Sequence, residues 1–123
     1  HQTVLIFAHP EKASFLFRWF YRAVAEAPSL REGYVECAWY FSQEENWPGV
    51  LLMSQSALAI TQRDKTYINE DFAWGSVPWD LSALAFWHLG QKEKACFYGA
   101  RALEKEPENQ RLQENLAFYQ GEQ

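Results

Sequence analysis

The chain has 123 residues, 48% of them hydrophobic, enough for one domain with its own core and too apolar for a disordered segment. Lys and Arg number 11 against 16 Asp and Glu, a net charge of -5, so neither a nucleic-acid backbone nor an anionic membrane surface is an expected partner. The two cysteines, Cys37 and Cys96, lie far apart without a C-x-x-C motif, which speaks against a metal site or disulfide framework and for a reduced, cytoplasmic compartment.

Taken in chain order, the first element is Val4 to Ala8, a β-branched and aromatic run ending at His9 and Pro10 that predicts a short N-terminal strand. It is too short to span a bilayer. Residues 1–13 are set apart as an N-terminal segment, and 14–123 as a helical domain. Local start signals, together with an internal repeat register, predict helices over 14–27, 30–43, 47–61, 77–89, 92–105 and 109–120, an all-α fold of about six helices. Ser29 with Glu32 reads as a capping box, Asn46 precedes Trp47 and Pro48, Ser76 precedes Pro78, and Asn109 opens the last helix. Gly90 stands where the chain must reverse, and Pro107 stops the helix before it.

From Ser76 onward, Trp79, Ser82, Ala83, Phe86, Gly90, Ala95, Gly99, Ala102 and Pro107 resemble the marker spacing of tetratricopeptide repeats, with Ser82 and Gly99 as the poor substitutes. The same frame from Arg31 takes in Tyr34, Cys37, Ala38, Phe41, Val50, Ser54 and Ala57, and one unit further back Leu16, Phe20, Ala23 and Pro28. The resemblance implies antiparallel helix pairs stacked as an α-solenoid, with the helix after Asn109 as its cap. The array opens on a half unit and the chain opens on His1 rather than Met, for which processing, a tag remnant or a segment of a longer protein are the readings, the last being the expectation. Between the later units the register needs eleven extra residues, placed in the connector from Arg63 to Gly75.

No nucleophile arrangement, phosphate loop or metal-ligand spacing is present, so this chain is not expected to act as an enzyme by itself. Cys37 and Cys96 fall on inward helix positions and read as small buried hydrophobes. Arg18 and Arg22, beside Trp19 and Tyr21, form either an anion patch or a solvated face paired with Glu26. In tetratricopeptide arrays the first helix of each pair and the cap line a concave face. By phasing, that face carries Val35, Trp39 and Ser42, then Asp80, Leu84 and Trp87, then Arg111, Asn115 and Phe118. Trp39, Asp80, Trp87, Arg111 and Asn115 are the binding candidates; the alternative is that the Trp side chains fill the interior of the array. A carboxylate clamp is not expected, because Val35 and Trp39 stand where a Lys and an Asn are required. Tyr67, Glu70, Asp71 and Trp74 in the connector form a second candidate, an aromatic and acidic platform suited to a carbohydrate acceptor; the alternative is a loop folded over an exposed helix face.

The stretches FLFRWFYRAV, APSLREGYVECAWY, NWPGVLLMSQSALAI, YINEDFAWGSVPWDLSALAFWHLG and ALEKEPENQRLQENLAFY together resemble the C-terminal helical region of bacterial or phage family-2 glycosyltransferases that end in tetratricopeptide-like repeats. The resemblance implies an upstream catalytic domain that binds a nucleotide-sugar and a divalent metal, with Val4 to Pro10 as its closing strand and His9 as its metal-binding His. It implies for the helices a non-catalytic scaffold role, with a protein or peptide, or that upstream domain, as partner. A free-standing adaptor with a peptide in its concave groove is the alternative.

Overall fold

The computed structural model describes residues 18, 22, 24, 25, 30–62 and 71–121. Every regular element among them is α-helical: α1 (Arg31–Gln43), α2 (Trp47–Leu58), α3 (Asp71–Trp74), α4 (Val77–His88), α5 (Lys92–Lys105) and α6 (Gln110–Tyr119). Arg18, Arg22, Val24 and Ala25 are helical as well, inside the helix expected over 14–27. The strand expected at Val4 to Ala8 lies outside the described residues.

Local chemistry sets the helix ends. Asn46 accepts a hydrogen bond from the Gly49 N–H at 3.1 Å, and Asn109 from the Leu112 N–H at 3.2 Å, so each satisfies one of the free donors of a first turn. Two expected caps are corrected. Leu30, not Ser29, stands at the N-cap of α1, and no side chain caps that helix; Ser29 itself lies outside the described residues. Ser76 holds the N-cap position of α4 in helical backbone (φ -76°, ψ -23°), which turns its hydroxyl away from its own first turn; it donates to Glu106 at the end of α5 instead.

At the other ends, Gly90 (φ 80°) and Glu45 (φ 56°) both occupy the left-handed region. Around Gly90, the Gly90 N–H bonds the Trp87 carbonyl at 3.1 Å and the Gln91 N–H bonds Phe86 at 2.8 Å. Around Glu45, the Glu45 N–H bonds Ser42 at 3.1 Å and the Asn46 N–H bonds Phe41 at 2.9 Å. Both are the same C-terminal motif of paired reverse bonds, filled by glycine once and by a strained glutamate once.

The helices pack in sequence: α1 on α2, α2 on α4, α4 on α5 and α5 on α6, with α1 also touching α4. Ala38, Ala57, Ala83, Ala85, Ala95 and Ala102 are fully buried, and their small side chains let the helix axes approach closely. One core cluster joins Val35, Cys37, Ala38 and Phe41 of α1 to Val50 and Ala57 of α2 and to Leu81 and Ala85 of α4. A second joins Ala83 and Phe86 of α4 to Ala95 of α5 and Tyr119 of α6. Membership of both clusters explains why α4 is apolar around its whole circumference, with Asp80 its only Asp, Glu, Lys or Arg.

The expected connector is not structureless at its end. Asp71–Trp74 forms the short α3, which packs on α1 and α4 and places Ala73 in the first core cluster.

Candidate functional site

Asp80 and Arg111, both read from phasing onto the concave face, are brought together: the Arg111 guanidinium meets the Asp80 carboxylate at 2.9 Å. Asp80 keeps 12% of its side-chain surface and Arg111 58%, so the pair has a buried anion and a solvent-facing cation. Burial pushes the Asp80 carboxyl above its usual range, and the hydrogen bond and charge of Arg111 pull it back. The bond ties α6 to α4. Nearby, Ser76 and then Asn109 hold the exposed Glu106 carboxyl below its usual range, completing a polar seam where α4, α5 and α6 begin or end.

Trp87 is half-buried, edge-on to Phe118 with ring centroids 5.0 Å apart and tilted against Tyr119 at 5.5 Å. Phe118 itself is exposed, and Asn115 is half-buried one turn before it. Four candidates and Phe118 thus converge on the face shared by α4 and α6. Trp39 does not join them: it stands 56% exposed on α1, makes no ring contact with another described aromatic, and only its carbonyl is engaged, by Ser42 at 2.6 Å.

Val35 is a correction. It is 1% exposed, inside the first core cluster, so the open side of α1 is carried by Glu36, Trp39 and Gln43. Phasing puts Trp39 on the open side but takes Val35 and Ser42 for their neighbours Glu36 and Gln43, which turns the face by roughly 65° around a 3.6-residue helix.

In the connector, Tyr67 and Glu70 lie outside the described residues, and Asp71 opens α3. Trp74 is half-buried beside the first core cluster rather than displayed as a platform. The Arg31 guanidinium lies 4.0 Å from the centre of its ring. Arg31 is 7% exposed and donates from Nε to the Ile60 carbonyl at 2.8 Å and from Nη1 to the Ala73 carbonyl at 3.3 Å. One side chain therefore binds the backbone just before the connector and near its end, using the planar fork that only arginine offers. Burial lowers the Arg31 pKa, opposed by the Glu32 charge. No sequence signal beyond an arginine opening an apolar helix pointed to this clasp.

A second missed feature is polar and buried. Ser82 donates to Ser54 at 2.8 Å, Gln55 donates to Ser82 at 3.1 Å, and the Tyr98 hydroxyl donates to Gln55 at 3.2 Å. This chain links α2, α4 and α5, and it fills the place where a small apolar marker was expected at Ser82. Tyr119 is 2% exposed, its ring edge fits over Gly99, and its hydroxyl is buried without a hydrogen-bond partner among the described residues. Burial and then the Asp80 charge push this phenol above its usual range.

Cys37 is buried, and burial pushes its thiol up to about 11, which makes it a packing residue; Cys96 is half-buried against the second cluster. Arg18 and Arg22 are exposed, and Glu26 lies outside the described residues, as does His9. Among the described residues no three His, Cys, Asp or Glu side chains converge, and no described helix is long and apolar enough to cross a membrane. No protein-family model matches the chain, and no curated protein matches it significantly.

Proposed function

We propose that this chain is a non-catalytic helical-repeat module of the tetratricopeptide type, forming the C-terminal part of a family-2 glycosyltransferase and positioning an acceptor or mediating assembly through its concave face. The observation that carries the repeat is a shift of 45 residues. It takes Ala38 to Ala83, Phe41 to Phe86, Val50 to Ala95 and Ala57 to Ala102, and all eight are buried. It also takes Glu45 to Gly90, the two left-handed residues that close the same bond pattern. Packing supports the same reading: the second helix of one pair lies on the first helix of the next, and the two first helices touch.

The face shared by α4 and α6 offers Trp87, Arg111 and Asn115 to a partner, with Asp80 buried behind Arg111, and α1 adds the exposed Trp39. Trp39 and Phe118 are both exposed, and exposed aromatics of this kind are the anchors that interfaces use. A protein or peptide, or the upstream catalytic domain, fits that chemistry; a carbohydrate acceptor is the rival occupant. The divalent metal and nucleotide-sugar belong to the upstream domain, and no described residue is assigned to them.

The coding sequence directly upstream of His1 tests the parent. A nucleotide-sugar-binding domain in frame is expected; an unrelated domain there would remove the glycosyltransferase from the reading and leave the alternative, a free-standing adaptor. Titrating the chain with a random peptide pool and with a panel of oligosaccharides, followed by Trp fluorescence, tests the face. A response abolished by Trp39→Ala and Trp87→Ala supports it, and a response that survives both places binding elsewhere.

A further inference from the structure

The chain has no charged residue between Glu45 and Arg63, although 22% of all its residues are charged. That gap is α2 and its flanks. A helix without polar faces belongs inside a protein, and α4, of similar composition, is enclosed by α2 and α5. α2 is not. Leu52 is 63% exposed and Leu89 40%, and with Pro48, Leu51, Ser56 and Ala59 they line an open groove of about 540 Å³.

The polar groups in this groove are already used. Gln55 spends its amide on Ser82 and Tyr98 of its own chain, and the Ser56 hydroxyl donates to the Leu52 carbonyl at 2.7 Å. A nucleotide or a charged peptide would therefore find no counter-charge here, and the Gln55 amide and the Ser56 hydroxyl proton are already engaged within the chain. The matching occupant is an uncharged apolar helix face, and α2 is itself such a face.

We infer that the outer face of α2 is a self-association surface, on which a second copy of this chain packs α2 against α2 about a two-fold axis. The face has the relief a two-fold requires. The bulky Leu52 stands one turn from the small Ser56 on the same i±4 row, so the bump of one copy enters the hollow of the other when these rows interdigitate. Charge favours the same pairing: each copy carries -5, and the neutral α2 face is where two such molecules meet without placing carboxylates together. A contact centred on one 12-residue helix falls short of the ~800 Å² per partner of a stable dimer, so the association is weak.

The test is sedimentation equilibrium from about 10 μM to about 1 mM, the range that reveals weak contacts. The average mass is expected to climb from 14.4 kDa toward twice that value, and further at higher salt, because screening removes the repulsion between like-charged copies. Leu52→Glu and, separately, Ser56→Arg are expected to weaken the dimer at least tenfold while leaving the helical circular dichroism unchanged, since neither side chain belongs to a core cluster. A chain that stays monomeric throughout the range gives the face to a different occupant and overturns the inference. So does a dimer that ignores both substitutions.

Discussion

Replacing Arg31 by methionine isolates the clasp, because methionine keeps most of the unbranched stem and removes the guanidinium. Three contacts disappear: the 2.8 Å bond to Ile60, the 3.3 Å bond to Ala73 and the face of Trp74 at 4.0 Å. A short hydrogen bond from a charged donor contributes about 2 kcal/mol, the longer one about 1, and the ring contact about 1. The desolvation of a guanidinium left 7% exposed offsets part of that sum. A net loss of about 2–3 kcal/mol is expected, which for a chain of this size lowers Tm by roughly 8–12 °C. Arg31→Lys should recover only part of it, since an ammonium on one stem reaches one carbonyl well but not two at opposite ends of the connector. Urea and thermal melts followed by circular dichroism measure both variants. An Arg31→Met chain within about 0.5 kcal/mol of the parent would show that the clasp is decoration, and an Arg31→Lys chain equal to the parent would show that charge alone suffices.

The remaining predictions concern the seam, a turn and a close approach. Arg111→Met leaves the Asp80 carboxylate buried without its cation; because Arg111 is 58% exposed, the cost at neutral pH is about 1–2 kcal/mol rather than that of a fully buried pair. The sign with pH follows from the direction of the Asp80 shift. Its folded pKa is already raised and rises further without Arg111, so the variant's deficit is present at neutral pH and closes as the pH falls toward 4 in urea titrations; a constant deficit would place the cost in packing. Glu45→Gly relieves the left-handed strain at φ 56° and should stabilise the chain by about 0.5–1 kcal/mol, a result that equal melts would contradict. Gly49→Ala puts a methyl carbon 2.9 Å from the Phe41 ring, and the overpacking cost of about 1–3 kcal/mol should exceed the ~1 kcal/mol gained in helix propensity. A more stable alanine variant would mean that Phe41 moves aside freely.

The all-helical class and most helix ends were legible because they depend on neighbours in sequence. Asn46 and Asn109 accept from N–H groups three residues on, and Gly90 answers a local demand for positive φ. The short α3 was not legible, since four residues cannot display a helical period. Ser82 and Gly99 looked like weak substitutes in a linear pattern. Their reasons come from other helices: Ser82 meets Ser54 and Gln55 of α2, and Gly99 leaves room for the Tyr119 ring of α6, whose nearest atoms would stand 3.2 Å from an added Cβ. Arg31 escaped notice for the same reason, because its acceptors are 29 and 42 residues away.

The candidate face shows where linear phasing loses its hold. Val35 and Asp80 stand 45 residues apart at matching points of α1 and α4, and both side chains turn inward. A valine there needs only apolar neighbours, so α1 is free to display Trp39 one turn later without any polar support. A carboxylate in the same place needs a cation, and its desolvation would otherwise favour the neutral acid. α6 supplies the cation through Arg111, on the helix that also brings Phe118 against Trp87. The last helix therefore does more than cover an apolar end. It pulls the raised Asp80 pKa back down and packs Phe118 on Trp87 together, so altering either member of the Asp80 and Arg111 pair alone is expected to disturb the aromatic face as well as the ion pair.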